Sequence, residues 1–189
     1  MITEPPPSPP LTSEERSHLA AAQSALSAGD FPRARQELEH IREEVRLHTE
    51  VLEFVCVLEY EARDWSACFA AAMDLTGQDL GSQTGHIYFA KSTRQIQGPQ
   101  AGVACLSSVI WDQFPTNAHM RVELAGFYSA LNQLRLARDL INDAFGILRK
   151  REKERPTIAQ DIAAEARRLK QAMLRNEDFK PLWPEIQLP

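Results

Sequence analysis

The chain has 189 residues, 43% hydrophobic and 25% charged, with a formal net charge of -5. A chain of this length hides about 70% of its unfolded surface, so one soluble domain is the expectation. No apolar run approaches the ~18 residues of a membrane span and the proline-rich start lacks a signal peptide's apolar stretch, so no membrane partner and a cytoplasmic location are expected.

Taken from the N-terminus, residues 1–12 form a proline-rich tail carrying Pro5, Pro6, Pro7, Pro9 and Pro10, expected to be extended or disordered. Thr12 with Glu15 three positions on is a capping-box signature, which starts a first helix near Ser13. Nine helices are expected, near 13–28, 32–47, 49–62, 66–77, 83–96, 99–112, 117–131, 134–153 and 157–175. The interior prolines Pro32, Pro99, Pro115 and Pro156 all fit helix ends, where a missing amide hydrogen costs little. The last helix, in a capping segment over 154–176, is opened by Thr157 and Gln160 and carries an apolar stripe of Ile158, Ile162, Ala166, Leu169 and Met173. The C-terminal tail, 177–189, holds Phe179, Leu182, Trp183, Ile186 and Leu188, too apolar for a simple linker, and is expected to pack on the helices.

Within residues 13–153 the helices repeat. The small residues Ala34, Cys68, Gly102 and Ala137 are spaced 34, 34 and 35 apart, followed four positions later by Leu38, Ala72, Leu106 and Ile141 and then by Ile41, Leu75, Val109 and Ala144. Twelve positions before each lies another small residue, Ala22, Cys56, Ala90 or Ala125. Two antiparallel helices cross at 8–10 Å only where the touching side chains are small, so one small residue per helix per unit is what stacked hairpins require.

These units resemble tetratricopeptide repeats. The fourth matches best, with Leu124-Ala125 and Tyr128 on its first helix and Ala137 with Ile141 on its second; Glu59 and Thr93 stand in the tyrosine's place in units two and three. The resemblance implies an all-α, right-handed α-solenoid of about four hairpins plus a C-terminal capping helix, whose concave face is lined by the first helix of each unit. In the chaperone-linked branch of the family, groove lysines and asparagines clamp a partner's terminal carboxylate. Leu19, Gln23, Phe54, Thr84 and Tyr88 occupy those places here, which implies that this clamp is missing.

The groove is assigned to Leu19, Gln23 and Leu26 of unit one, Glu53, Val57, Tyr60 and Glu61 of unit two, Ile87, Tyr88, Lys91 and Arg94 of unit three, and Val122, Gly126 and Ser129 of unit four. With Lys91 and Arg94 its only central cations, it suits an acidic or amphipathic segment of another protein. An adaptor or secretion-type chaperone is expected. The alternative is an assembly protein that binds a filament or copies of itself through charged edges, loosely like the light chains of kinesin motors. Residues 1–134 carry -8 and residues 135–189 carry +3, with Arg149, Lys150, Arg151, Lys153 and Arg155 as a basic cluster interrupted by Glu152 and Glu154. Nucleic acid is not an expected partner, because no uniform basic face is available to neutralise phosphates.

Catalytic motifs are missing from the sequence: it holds no glycine-rich phosphate loop, His-Glu-x-x-His, Cys-x-x-Cys or Gly-x-Ser-x-Gly. The histidines His18, His40, His48, His86 and His119 are scattered over separate helices and suggest no metal site, and Cys56, Cys68 and Cys105 fit reduced core thiols. No cofactor is implied. Enzymatic activity, with Cys56 or a histidine as the reactive group, is the least expected reading.

Overall fold

In a computed structural model, residues 9–186 are described, and every regular element among them is helical. The first is opened by its predicted cap. The Thr12 hydroxyl accepts from the Glu15 backbone N–H at 3.2 Å, and the Glu15 carboxylate accepts from the Thr12 N–H at 2.8 Å. Helix α1 then runs Ser13–Ser27. Residues 1–8 and 187–189, parts of the two expected tails, lie outside the described residues. Just before the cap, Leu11 is buried with Leu19, Ile41 and Phe54, so the expected free tail is anchored at its end.

The chain divides between Ile96 and Gln97 into two compact units, where one domain was expected. The first contains α1, α2 (Phe31–Glu39), a 3-10 turn (Glu43–Val45), α3 (Thr49–Glu61), α4 (Trp65–Gln78) and α5 (Gln83–Gln97). The second contains α6 (Pro99–Ile110), α7 (Ala118–Ala130), α8 (Leu134–Glu154), a 3-10 turn (Pro156–Ile158), α9 (Ala159–Arg175), a second 3-10 segment (Glu177–Leu182) and α10 (Trp183–Ile186). The third expected hairpin straddles this division. Adjacent helices pack as pairs, α1 with α2 and α3 with α4 in the first unit, α7 with α8 in the second.

The turns inside these pairs are built alike. Gly29, Arg63 and Asn132 all have positive φ, at 75°, 60° and 58°. In each, the following residue's N–H returns to a carbonyl five positions back: Asp30 to Ala25, Asp64 to Glu59 and Gln133 to Tyr128, all at 2.9 Å. This left-handed closure satisfies carbonyls that a helix end leaves unpaired. Asp30 and Asp64 then serve at once as N-caps, accepting from the Arg33 and Ala67 N–H groups at 3.1 Å. Glycine takes this conformation without penalty, whereas Arg63 holds it against the clash of its own Cβ.

The small residues are buried. Ala22, Ala34, Cys56, Cys68, Ala90, Ala125 and Ala137 have no exposed surface, and Gly102 is buried. Between α3 and α4 the Cys68 thiol donates to the Cys56 carbonyl at 3.5 Å, so these two helices touch at a pair of small residues.

Helix α2 ends at Glu39, well short of the expected 47. Beyond it Arg42 is extended, which lets Ile41 and Val45 both enter the core. The Arg46 guanidinium donates to the carbonyls of Ile41 at 3.2 Å and Glu39 at 3.3 Å, replacing helical bonds that the break removes. Arg42 turns back to α1, its Nε and Nη2 donating to the buried Glu15 carboxylate at 2.7 and 3.2 Å.

The Arg42 hydrogen bonds, then the Thr12 N–H, hold the Glu15 carboxyl at about 2, below the ordinary carboxylate range. A pKa depressed in the folded state contributes stability above the unfolded value of about 4.3, and that contribution is lost as pH falls toward 2. Thermal melts from pH 5 to pH 2 should therefore fall more steeply for the wild type than for Glu15→Gln. Parallel profiles would disprove this linkage.

In the second unit, α9 begins at Ala159 after the 3-10 turn, and Thr157 makes no cap to it, contrary to the expected start. Proline at the head of the turn sets a tighter coil first. The C-terminal segment packs on α7 and α9: Phe179 and Leu182 are buried, and the Trp183 indole N–H donates to the Met173 carbonyl at 3.2 Å. No described helix is long and apolar enough to cross a membrane.

Candidate functional site

In the first unit, α1, α3 and the start of α5 enclose a cleft of about 460 Å³, lined by Leu19, Gln23, Leu26, Glu53, Phe54, Val57 and Thr84, with Ser27 and Glu50 at its edge. The α1 residues Leu19, Gln23 and Leu26 follow the 3–4 spacing of one helix face, as do Glu53 and Val57 on α3. The alanine and cysteine positions turn inward to the crossings, which leaves these faces toward the cleft. Leu19 and Gln23 of α1, Phe54 of α3 and Thr84 of α5 thus line one cleft.

Other expected groove residues separate from it. Tyr60 and Tyr88 meet edge to face at 5.5 Å, Tyr60 packs on Trp65 at 5.2 Å, and the Lys91 ammonium stands 5.2 and 5.3 Å from the two tyrosine rings. A cation over two ring faces is held by their negative quadrupoles. Arg94 is half-buried and Glu61 exposed. The charged side chains of the cleft are instead Glu50 and Glu53, and Arg16 pairs with Glu50 at 3.1 Å. The wall is acidic and apolar, contrary to the expected cationic centre.

Four further assignments are corrected by burial. Ile87 is 4% exposed and Val122 3%, because the faces that carry them pack inward, so neither can meet a partner. Ser129 is likewise buried. Gly126 is covered by this chain itself: a methyl built on it would lie 3.1 Å from the Phe179 ring.

The basic cluster is partly neutralised. Arg151 turns to α9, where its Nη1 donates to both Glu165 carboxylate oxygens at 3.0 and 3.1 Å, and Lys150 stands 3.8 Å from Glu154. Arg149 and Lys153 are exposed. At the last turns of α8 these cations also complement the negative end of the helix dipole.

Two arrangements were not foreseen from the sequence. Glu59 is buried and receives both Nε (3.0 Å) and Nη2 of Arg35, which ties α2 to α3. His18 of α1, Glu37 of α2 and His40, the residue capping α2, also come together, although the histidines were expected to be scattered. One ligand atom from each lies within 4.8 Å of the others. The two imidazoles stack 4.7 Å apart at 8°, and His18 Nδ1 is 2.9 Å from Glu37 Oε2. That hydrogen bond, with the charges of His18, His40 and Arg33, holds the Glu37 carboxyl below its ordinary range. The signal available in the sequence was the Glu-x-x-His spacing of 37 and 40, which puts both on one helix face.

Cys56 and Cys68 are poor nucleophiles. Burial pushes their thiols up to about 12 and about 11, leaving almost no thiolate at neutral pH. Among known proteins, no family model and no curated protein matches this chain.

Proposed function

We propose that this chain is a non-enzymatic, tetratricopeptide-like interaction module whose cleft receives an amphipathic helix or extended segment of another protein. The observation that carries this reading is the cleft itself, where α1 and α3 present the partly exposed Leu26 and Val57 beside Gln23 and Glu53, over a floor of the buried Leu19 and Phe54. Apolar anchors flanked by polar side chains are what a groove needs to take one face of a partner helix. Its volume suits a few inserted side chains. Glu53 on the wall favours a partner helix with basic residues along its edge.

The repeat assignment is supported by the buried small residues at the crossings, the shared left-handed turns, and the convergence of the clamp-like positions. A right-handed array of such hairpins is the architecture we favour. The adaptor or chaperone reading uses the cleft in its existing form. Assembly on a filament, or self-association through the basic end of α8, has less support, since Arg151 and Lys150 already face Glu165 and Glu154.

The test is affinity capture from the native source with the wild type and Val57→Arg, which places a long cation in the cleft without touching a crossing. Proteins retained by the wild type and lost by the variant, at unchanged helical circular dichroism, are the expected result. Identical retention by both would overturn the cleft as the binding site.

A further inference from the structure

The first hairpin carries a set of donors that the cleft does not use. His18 projects from α1 toward α2, and Glu37 and His40, three apart on α2, come to meet it. We infer that His18, Glu37 and His40 form a binding site for a divalent transition-metal ion, Zn²⁺ being the closest fit, that clips α1 to α2.

Three features carry this inference. The first is donor chemistry: two imidazoles and one carboxylate are the borderline-soft nitrogen and oxygen set that holds zinc, whereas calcium and magnesium prefer oxygen alone. The second is the arrangement of hydrogen atoms. His40 Nδ1 lies 3.0 Å from the Gln36 carbonyl, and His18 Nδ1 lies 2.9 Å from the Glu37 carboxylate. A carbonyl accepts only, so neutral His40 carries its hydrogen on Nδ1 and keeps the Nε2 lone pair for an ion, and such an outer hydrogen bond is how metal-binding histidines are oriented. His18 instead turns Nδ1 itself to the Glu37 carboxylate, so an ion held between those two groups takes the Nδ1 lone pair while the ring hydrogen moves to Nε2.

The third is reach. Donor atoms within 4.8 Å of one another need to close by only about 1.5 Å to the separations around a tetrahedral ion with ~2.0–2.1 Å bonds. His40 is exposed and the side chains of His18 and Glu37 are 27% and 22% exposed, so the rings can rotate and an ion can enter from solvent. Arg33, one turn before Glu37, opposes a cation electrostatically, and the Glu37 charge offsets it. Three protein donors leave a fourth position for water. Bridging two helices, the ion stabilises the folded hairpin over the unfolded chain, where no such site is preformed.

Isothermal titration of the full-length, reduced chain with Zn²⁺ in chelator-free buffer tests this, alongside His18→Ala, His40→Ala and Glu37→Gln. His119→Ala is the control, since that ring stands 3.3 Å from Glu123, a histidine–carboxylate pair outside the proposed site. The expected result is one Zn²⁺ per chain, affinity weakened by about 100-fold or more in each histidine variant and about 10-fold or more in Glu37→Gln, and no change in His119→Ala. Saturating Zn²⁺ should also raise the melting temperature of the wild type and not of the histidine variants. Absence of binding to the wild type, or equal binding by histidine variants whose circular dichroism is unchanged, overturns the site. Should the alanine variants misfold, Glu37→Gln keeps the shape and removes the charge, and undiminished binding by it would likewise overturn the three-donor site.

Discussion

Replacing Phe179 with alanine should destabilise the second unit by about 3–5 kcal/mol, the usual cost of emptying a buried phenylalanine position. The ring is 2% exposed and lies on the backbone of α7 at Gly126, where the absent Cβ makes room for it. Its loss removes a large apolar surface from water and leaves a cavity that the helix backbone cannot move to fill. Leu182 and Trp183 then lose the anchor that positions their segment. Urea unfolding followed by circular dichroism measures the effect. A change below about 1 kcal/mol would show that the C-terminal segment adds little to the core, against the contacts described.

Leu75→Ala is the second large effect, with an expected loss of about 2–5 kcal/mol in the first unit. Leu75 is fully buried in α4 among Leu52, Cys56, Ala71 and Ala72, and Gly85 at the start of α5 approaches it closely. Four of those neighbours, Cys56, Ala71, Ala72 and Gly85, are already small, and small side chains cannot reach into a void. The loss should therefore lie in the upper half of that range. Leu75→Met conserves volume and should cost less than about 1.5 kcal/mol. An alanine variant as stable as the methionine variant would contradict the cavity argument.

Much of the local structure was legible along the chain because its causes are local. The Thr12–Glu15 capping box needs only three residues of separation, and α1 begins where it predicts. The paired small residues, twelve apart, are buried, as expected of positions where sterics at a helix contact admit little else. Where the causes are not local, the reading failed. Helix α2 stops at Glu39 because Ile41 and Val45 gain burial and Arg42 gains Glu15, a partner 27 positions away. Ile87 and Val122 were read as groove residues from helical position alone, yet which face of a helix meets solvent depends on what packs against it.

The candidate site divides in the same way. Gln23, Glu53 and Val57 were found by counting along helix faces, and they meet in one cleft. Lys91 was placed there too, but two tyrosines hold its ammonium elsewhere.

By itself the sequence determined that the chain is helical, that α1 opens on a capping box and that the paired small residues are buried, since propensity, capping and side-chain volume act over a few residues. Only the tertiary structure decided that Glu59 meets Arg35, that His18 meets Glu37 and His40, and that Phe179 closes over Gly126. Each of those joins groups from different helices, and a periodic pattern specifies which face is apolar without specifying which distant side chain will lie against it.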